Sequence, residues 1–360
     1  MIRSWSDIEA LDPPLTAPER RLIEACKAGE MCMLGDGTRP ERPDPARTIR
    51  ADLLRYLILG GCDECRLLEW GVQLAGAWIS GELDLSFATA KGPTGLLFCR
   101  FQRPVQALHT AFDFLNLIGC ALPGLNAQGV SVTGSVFLSG GFEAKGEVSL
   151  AGAVIGGQLD CTAGTFCNPK GKAINAYSAR VTGAVFMCAK FEAEGEVNLL
   201  GAAICGELNC IGGTFRNPKG DALNADGAQV LGTVFLCGAF RVEGEISLSG
   251  TVISGQLDCT GGTFRNPKGI ALNGQRMTVI AGFFWRGAMV EAGQVVLASA
   301  RVGDLIDDLD SWPVGENRVI LDGFTYDRIS ASFTDAKTRL AWLARGTLWK
   351  GSFTPNPTPN

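Results

Sequence analysis

The string Phe-Arg-Asn-Pro-Lys-Gly stands at residues 215–220 and again at 264–269, and a near copy with Cys in place of Arg begins at Phe166. The interval is 49 residues each time (166 to 215 to 264), and the register holds beyond the string. GEVSLAGAVIGGQLDC starts at Gly146, GEVNLLGAAICGELNC at Gly195 and GEISLSGTVISGQLDC at Gly244, with a degenerate GQVVLASARVGDLIDD from Gly293. A fixed period of this size means one supersecondary unit stacked on copies of itself. Each unit also matches itself in halves, with Ile155, Leu159, Cys161 and Phe166 opposite Val181, Val185, Met187 and Phe191. One unit is therefore two turns, of about 23 and about 26 residues.

Within the turns, VSL, QLDC and VFM alternate with a period of two and glycine interrupts them throughout, which excludes helices that need a 3.6-residue period over ten or more positions. The pattern predicts an all-β parallel solenoid whose strands stack at about 4.8 Å. Earlier turns are visible from Gly71 and Leu125, so residues 67–308 should make about ten turns and a rod about 50 Å long. One inward column would run Leu138, Cys161, Met187, Cys210, Leu236, Cys259 and Trp285. Its cysteines lie two turns apart, about 10 Å, too far for a disulfide or shared metal coordination.

The remaining composition excludes more than it assigns. A net charge of −5, from 32 basic and 37 acidic residues, gives no global basic field for nucleic acid. No apolar run approaches the roughly 18–20 residues needed to cross a bilayer, and the start lacks an apolar signal core, which predicts a cytoplasmic protein. Thirteen cysteines in a chain of this length are expected as reduced, buried thiols. Cys62 and Cys65 make one C-x-x-C, without the second pair or histidine cluster of a metal site and without a thioredoxin-like context. His109 is the sole histidine and has no nucleophile elbow near it, and no G-x-G-x-x-G or P-loop string offers a nucleotide cradle. No cofactor is expected. Asp84, Asp160 and Asp258, with Asn209, are outward neighbours of inward residues and the best carboxylates for a carbohydrate-cleaving β-helix, although their regular recurrence argues against a single active site.

Two ladders are candidate interaction surfaces. The NPKG string reads as a lateral loop where one turn runs long, since Asn-Pro starts a turn and proline cannot donate to a ladder. Lys170, Lys219 and Lys268, with Arg216 and Arg265, would then stack as a basic stripe at about 10 Å spacing, fit for an anionic partner. Glu147, Glu196 and Glu245 precede inward residues, are expected to face solvent, and form the second ladder.

A solenoid needs caps at its open ends. Residues 1–66 are expected as a helical cap and linker. Thr16 and Glu19 form a capping box for a helix over Ala17–Ala28, and a second helix runs from Asp44-Pro45 to Gly60 with Ile49, Leu53, Leu54, Leu57 and Ile58 on its apolar face and Arg47, Arg50 and Arg55 on its polar side. Residues 309–350 should add one or two closing strands and a short helix from near Thr334 to Gly346, with Ala336, Leu340 and Leu343 toward the rod. The Pro-rich tail 351–360 is expected to be mobile.

The small-x-x-Leu or Phe rhythm of GELDLSFA and GQLDCTAGTF is similar to that of pentapeptide-repeat proteins, which implies a right-handed, four-sided β-helix. RTIRADLLRYLI (47–58), ISGELDLS, VIGGQLDC and TRLAWL (338–343) resemble bacterial proteins labelled membrane-associated oxidoreductases, over about residues 45–345. That second resemblance implies peripheral membrane association, with longer members continuing past FTP (353–355) into hydrophobic spans, of which this chain would be a shortened form. Three functions follow as expectations. The leading one is a non-enzymatic scaffold that presents its ladders to a protein partner or to further copies of itself. The others are a DNA-mimic binder of a DNA-handling enzyme, as some pentapeptide-repeat proteins are, and an oxidoreductase or carbohydrate-active enzyme.

Overall fold

The structure, a computed structural model, describes residues 2–330 and 335–345. In the turn from residue 143 to 160 the chain makes four strands of two residues each, Glu143–Ala144, Val148–Ser149, Val154–Ile155 and Leu159–Asp160. Each pairs in parallel with its counterpart one turn on, at Thr165–Phe166, Ile174–Asn175, Arg180–Val181 and Val185–Phe186. The result is a four-sided parallel solenoid of about 11 turns, close to the number expected. The registers reproduce the repeat: Val154 pairs with Arg180 and Arg180 with Ala203, steps of 26 and 23 residues (180 − 154 and 203 − 180). Nearer the N-terminus the turns are shorter, and Val105 pairs with Leu125, 20 residues on (125 − 105).

Two inward columns carry the core. Leu138, Cys161, Met187, Cys210, Leu236, Cys259 and Trp285 are all fully buried, so the recurring cysteines fill a slot between larger side chains. The second column is aromatic. Phe142, Phe166, Phe191, Phe215, Phe240 and Phe264 are followed by Trp285, Trp312 and Trp342, with successive ring centroids 5.1 to 5.8 Å apart. Parallel stacking sets that separation, and the rings tilt against one another to use it, each pair adding about 0.5–1.5 kcal/mol beyond area burial.

The N-terminal segment does more than cover the first turn. Helix α1 (Trp5–Glu9) precedes α2 (Ala17–Ala28), and between α2 and α3 (Ala51–Ile58) lie two strands that belong to the solenoid itself. Cys32–Met33 pairs with Leu74–Ala75, and Thr48–Arg50 pairs with Trp78–Ser80. The expected second helix is thus corrected at its start: Thr48 and Ile49 are strand, and helix begins at Ala51. β-branched residues suit a strand, and the open rung at Trp78–Ser80 offers a ladder that a helix could not satisfy. Arg50 does not face solvent freely. Glu19, fully buried, accepts hydrogen bonds from Thr16 N (2.9 Å), Arg50 N (3.1 Å), Arg50 Nε (2.7 Å) and Arg50 NH2 (2.6 Å), tying the start of α2 to the end of the first-rung strand. The Pro-rich stretch has no regular structure but is anchored, because Arg39 NH1 donates to the carbonyls of Gly119 and Gly141 across neighbouring turns.

At the other end Val319–Ile320 and Thr325–Ile329 continue the pairing, and α4 (Ala336–Arg345) lies over the last rung. The face it turns to the rod differs from the one expected. Ala336 and Leu340 are exposed, whereas Trp342 stacks on Trp312 and Arg339 forms two 2.7 Å bonds to the fully buried carboxylate of Asp307. The apolar residues gave the wrong stripe because the docking site is an aromatic ring beside a buried acid, and a tryptophan and an arginine three residues apart match it. The side chain of Leu343 and the tail 351–360 lie outside the described residues.

Two stability predictions follow from this packing. Phe215→Ala leaves a gap in the middle of the aromatic column and should cost about 3–5 kcal/mol in denaturant unfolding. Glu19→Ala strands Arg50 and should cost about 3 kcal/mol at neutral pH. Burial raises Glu19, but the hydrogen bonds from Arg50 and Thr16 outweigh it and hold the carboxyl below its ordinary 4.5. Its contribution is present above that value and is lost as pH falls through the lower folded value, so the gap between wild type and Glu19→Ala should narrow in acid.

Candidate interaction surface

The NPKG strings stand at one corner of the solenoid. Strands run unbroken over Thr165–Asn175, Thr214–Asn224 and Thr263–Asn273. Their pairing to the next rung steps from Cys167 to Lys172, from Arg216 to Asp221 and from Arg265 to Ile270. The four residues between leave the ladder as a bulge inside a continuous strand, instead of a loop between two. The asparagine closes each bulge: the side-chain amides of Asn168, Asn217 and Asn266 donate to the carbonyls of Lys172, Asp221 and Ile270 at 2.7 to 2.8 Å. The rungs between, over Glu192–Asn198 and Arg241–Ser247, turn the same corner without a bulge. There Gly195 and Gly244 have φ of +111° and +125°, and a Cβ on Gly195 would meet the carbonyl oxygen of Asn168 at 2.3 Å. Only glycine passes beneath the bulge, which accounts for the repeated Gly-Glu at these positions.

Lys170, Lys219 and Lys268 are exposed at the bulges, two rungs and so about 10 Å apart. The arginines belong to a different arrangement. In register the outward column reads Cys167, Glu194, Arg216, Glu243, Arg265, an alternation of sign that replaces a wholly basic stripe. Arg265 NH1 lies 2.9 Å from Glu243 and its Nε 3.8 Å from Glu291, while Arg216 is exposed between Glu194 and Glu243. The interleaved acids were present in the sequence as Ala-Glu-Gly-Glu and Val-Glu-Gly-Glu, but they come from the other half of the repeat and meet the arginines only after folding.

The glutamate ladder divides in two. Glu147 is exposed, whereas Glu196 and Glu245 are half-buried, against the expectation that all three face solvent. The bulges explain the difference: the rungs of Glu196 and Glu245 are each sandwiched between two bulged rungs, and that of Glu147 has a bulge on one side only. Asp221, which returns to the ladder directly after the second NPKG, pairs with Glu245 and extends the acidic column on an intervening rung. Burial pushes Glu196, Asp221 and Glu245 all above the ordinary carboxylate range; Asp221 and Glu147 add to it at Glu196, Asp226 at Asp221, and both aspartates at Glu245. Lys172 acts against this at Glu196, the Asn224 amide at Asp221 and the Asn273 amide at Glu245.

The other candidates take part in the turns. Asp84, Asp160 and Asp258 accept from the backbone N of Ser86, Thr162 and Thr260 at 2.9 Å, and Asn209 from Ile211 at 3.1 Å. Phe186 and Phe235 occupy the rungs between Asp160, Asn209 and Asp258, which sets those side chains about 10 Å apart. His109 has a left-handed φ of +49° at a corner and stacks on Phe87 at 5.7 Å. Among the described residues no helix is long and apolar enough to cross a membrane. Comparison with family models, curated proteins and solved structures finds no match to this chain.

Glu245→Gln removes one of the crowded charges while keeping an acceptor for Asn273 Nδ2, now 3.1 Å away. A carboxyl raised by the fold favours folding below its unfolded value of 4.5 and disfavours it once pH rises through the folded value. The variant should therefore melt higher than wild type near neutral pH and equal to it below about pH 4, as read by calorimetry across that range.

Proposed function

We propose that the protein is a non-enzymatic scaffold whose bulged corner binds an acidic surface on another protein. The observation that carries the reading is the row of Lys170, Lys219 and Lys268, three exposed cations at the two-rung spacing. A rigid support fixes that spacing so that binding orders only the lysine side chains and not the backbone, and three weak contacts held at a fixed interval act together. Each bulge is closed by the asparagine amide, while the lysine occupies its exposed tip. Arg216 and Arg265 flank the row, but the glutamates beside them reduce their reach toward a partner.

A DNA mimic would need open, evenly spaced negative charge. The acidic column is a poor match, because Glu196 and Glu245 are half-buried and the lysine bulges stand next to it. The test is affinity capture with the purified full chain against the triple variant Lys170→Glu, Lys219→Glu and Lys268→Glu. The expected result is a protein retained by wild type, released by moderate salt and lost by the triple variant, with both proteins melting alike because surface changes of this kind cost within about 0.5 kcal/mol each. Identical sets of retained proteins would reject the lysine row as the binding surface.

A further inference from the structure

The C-x-x-C pair is absorbed neither by the repeat nor by the bulged corner. Residues Asp63–Cys65 form a single 3-10 turn between α3 and the first long strand, Val72–Ala75. That turn folds Cys65 back on Cys62: Cys62 N donates to Cys65 Sγ at 3.3 Å, and the two sulfurs are 3.2 Å apart. Disulfide formation would need the sulfurs to close by about 1 Å, within the reach of small χ1 changes in a short turn. The two thiols are not equivalent. Cys62 is half-buried and open to a reagent, whereas Cys65 is fully buried against α2. Metal ligation is a poor alternative, as no group of three or more Cys, His, Asp or Glu is placed to hold an ion among the described residues.

We propose that Cys62 and Cys65 form a reversible dithiol–disulfide site served by small-molecule disulfides of the glutathione class. The Cys62 sulfur, after losing its proton to solvent, attacks one sulfur of the reagent; the reagent's S–S bond breaks, and one reagent thiolate leaves and takes up a proton from solvent. The Cys65 sulfur then attacks the Cys62 sulfur of the mixed disulfide, and the second reagent thiol leaves with the Cys65 proton. Two protein thiols are oxidised by two electrons and one reagent disulfide is reduced to two thiols. Exposure of the attacking sulfur and burial of the resolving one set the order of the steps.

The site differs from the other close thiol pair. Cys99 and Cys120 are also neighbours, with Cys99 N donating to Cys120 Sγ at 3.3 Å, but both are fully buried and offer a reagent no sulfur to attack. Cys205 is exposed and is the comparison for simple mixed-disulfide formation.

Trypsin releases both cysteines in one peptide, residues 56–66, which makes the test direct. The full-length protein is incubated with oxidised glutathione, quenched in acid, denatured, alkylated and mapped by mass without reduction. Peptide 56–66 should appear unalkylated and two hydrogens lighter, and should return to the doubly alkylated form after reduced glutathione is added. In Cys65→Ser, Cys62 should accumulate as the glutathione adduct instead; in Cys62→Ser, Cys65 should stay free. If peptide 56–66 of the wild type remains doubly alkylated while Cys205 has reacted, or if its cysteines are joined to other residues, the proposal is overturned whether or not either variant folds.

Discussion

In-register parallel stacking obliges each turn to place the same kind of side chain at the same site as the turn before it, about 4.8 Å away. A core built this way cannot use the varied jigsaw of a globular domain. It uses columns, and each column must be filled by residues that pack on themselves. The phenylalanine column meets the condition by tilting its rings, and the cysteine column meets it by alternating a small side chain with Leu, Met or Trp. Stability then passes from turn to turn, so each end must be closed by something that reproduces the column. The C-terminal cap does this with tryptophans, where Trp285, Trp312 and Trp342 carry the ring stack out of the last strands and onto α4.

The same logic divides what the sequence made legible from what it hid. Columns were readable because their members recur at the repeat interval, so the solenoid, the inward cysteines and the two-turn unit could be placed from the letters. The faces of the caps were not. Ile49 looks like part of a helical stripe until an open rung takes Thr48–Arg50 as strand, and the docking face of α4 is chosen by Asp307 and Trp312, distant in the chain. Those choices are tertiary, and local propensity is a weak guide to them.

At the surface the hidden element was the four-residue bulge. It shifts the register of everything after it within the turn, so Asp221, which follows NPKG, extends the column of Glu196 and Glu245 that a count along the sequence leaves two turns apart. Just before the bulge, the ladder itself sets Glu194 and Glu243 beside Arg216, converting an apparent run of one sign into an alternation. Charges that seem isolated in a repeat are thus paired or opposed by the half of the unit that lacks the bulge. Lys170, Lys219 and Lys268 escape this because the bulge lifts them out of the ladder.

The glycine beneath each bulge sets the grain of the whole rod. A corner that carries Asn-Pro-Lys-Gly requires its neighbour to pass under it with no side chain at all, as Gly195 does below Asn168, so two bulged turns cannot lie next to each other. Removing the turn between two NPKG turns would bring two bulges together, whereas unbulged corners do stack on each other, as Gly124 and Gly146 show on adjacent rungs. A bulged turn can therefore be copied only together with the unbulged turn that follows it, and the 49-residue unit is the smallest piece carrying NPKG that can be repeated without setting bulge on bulge.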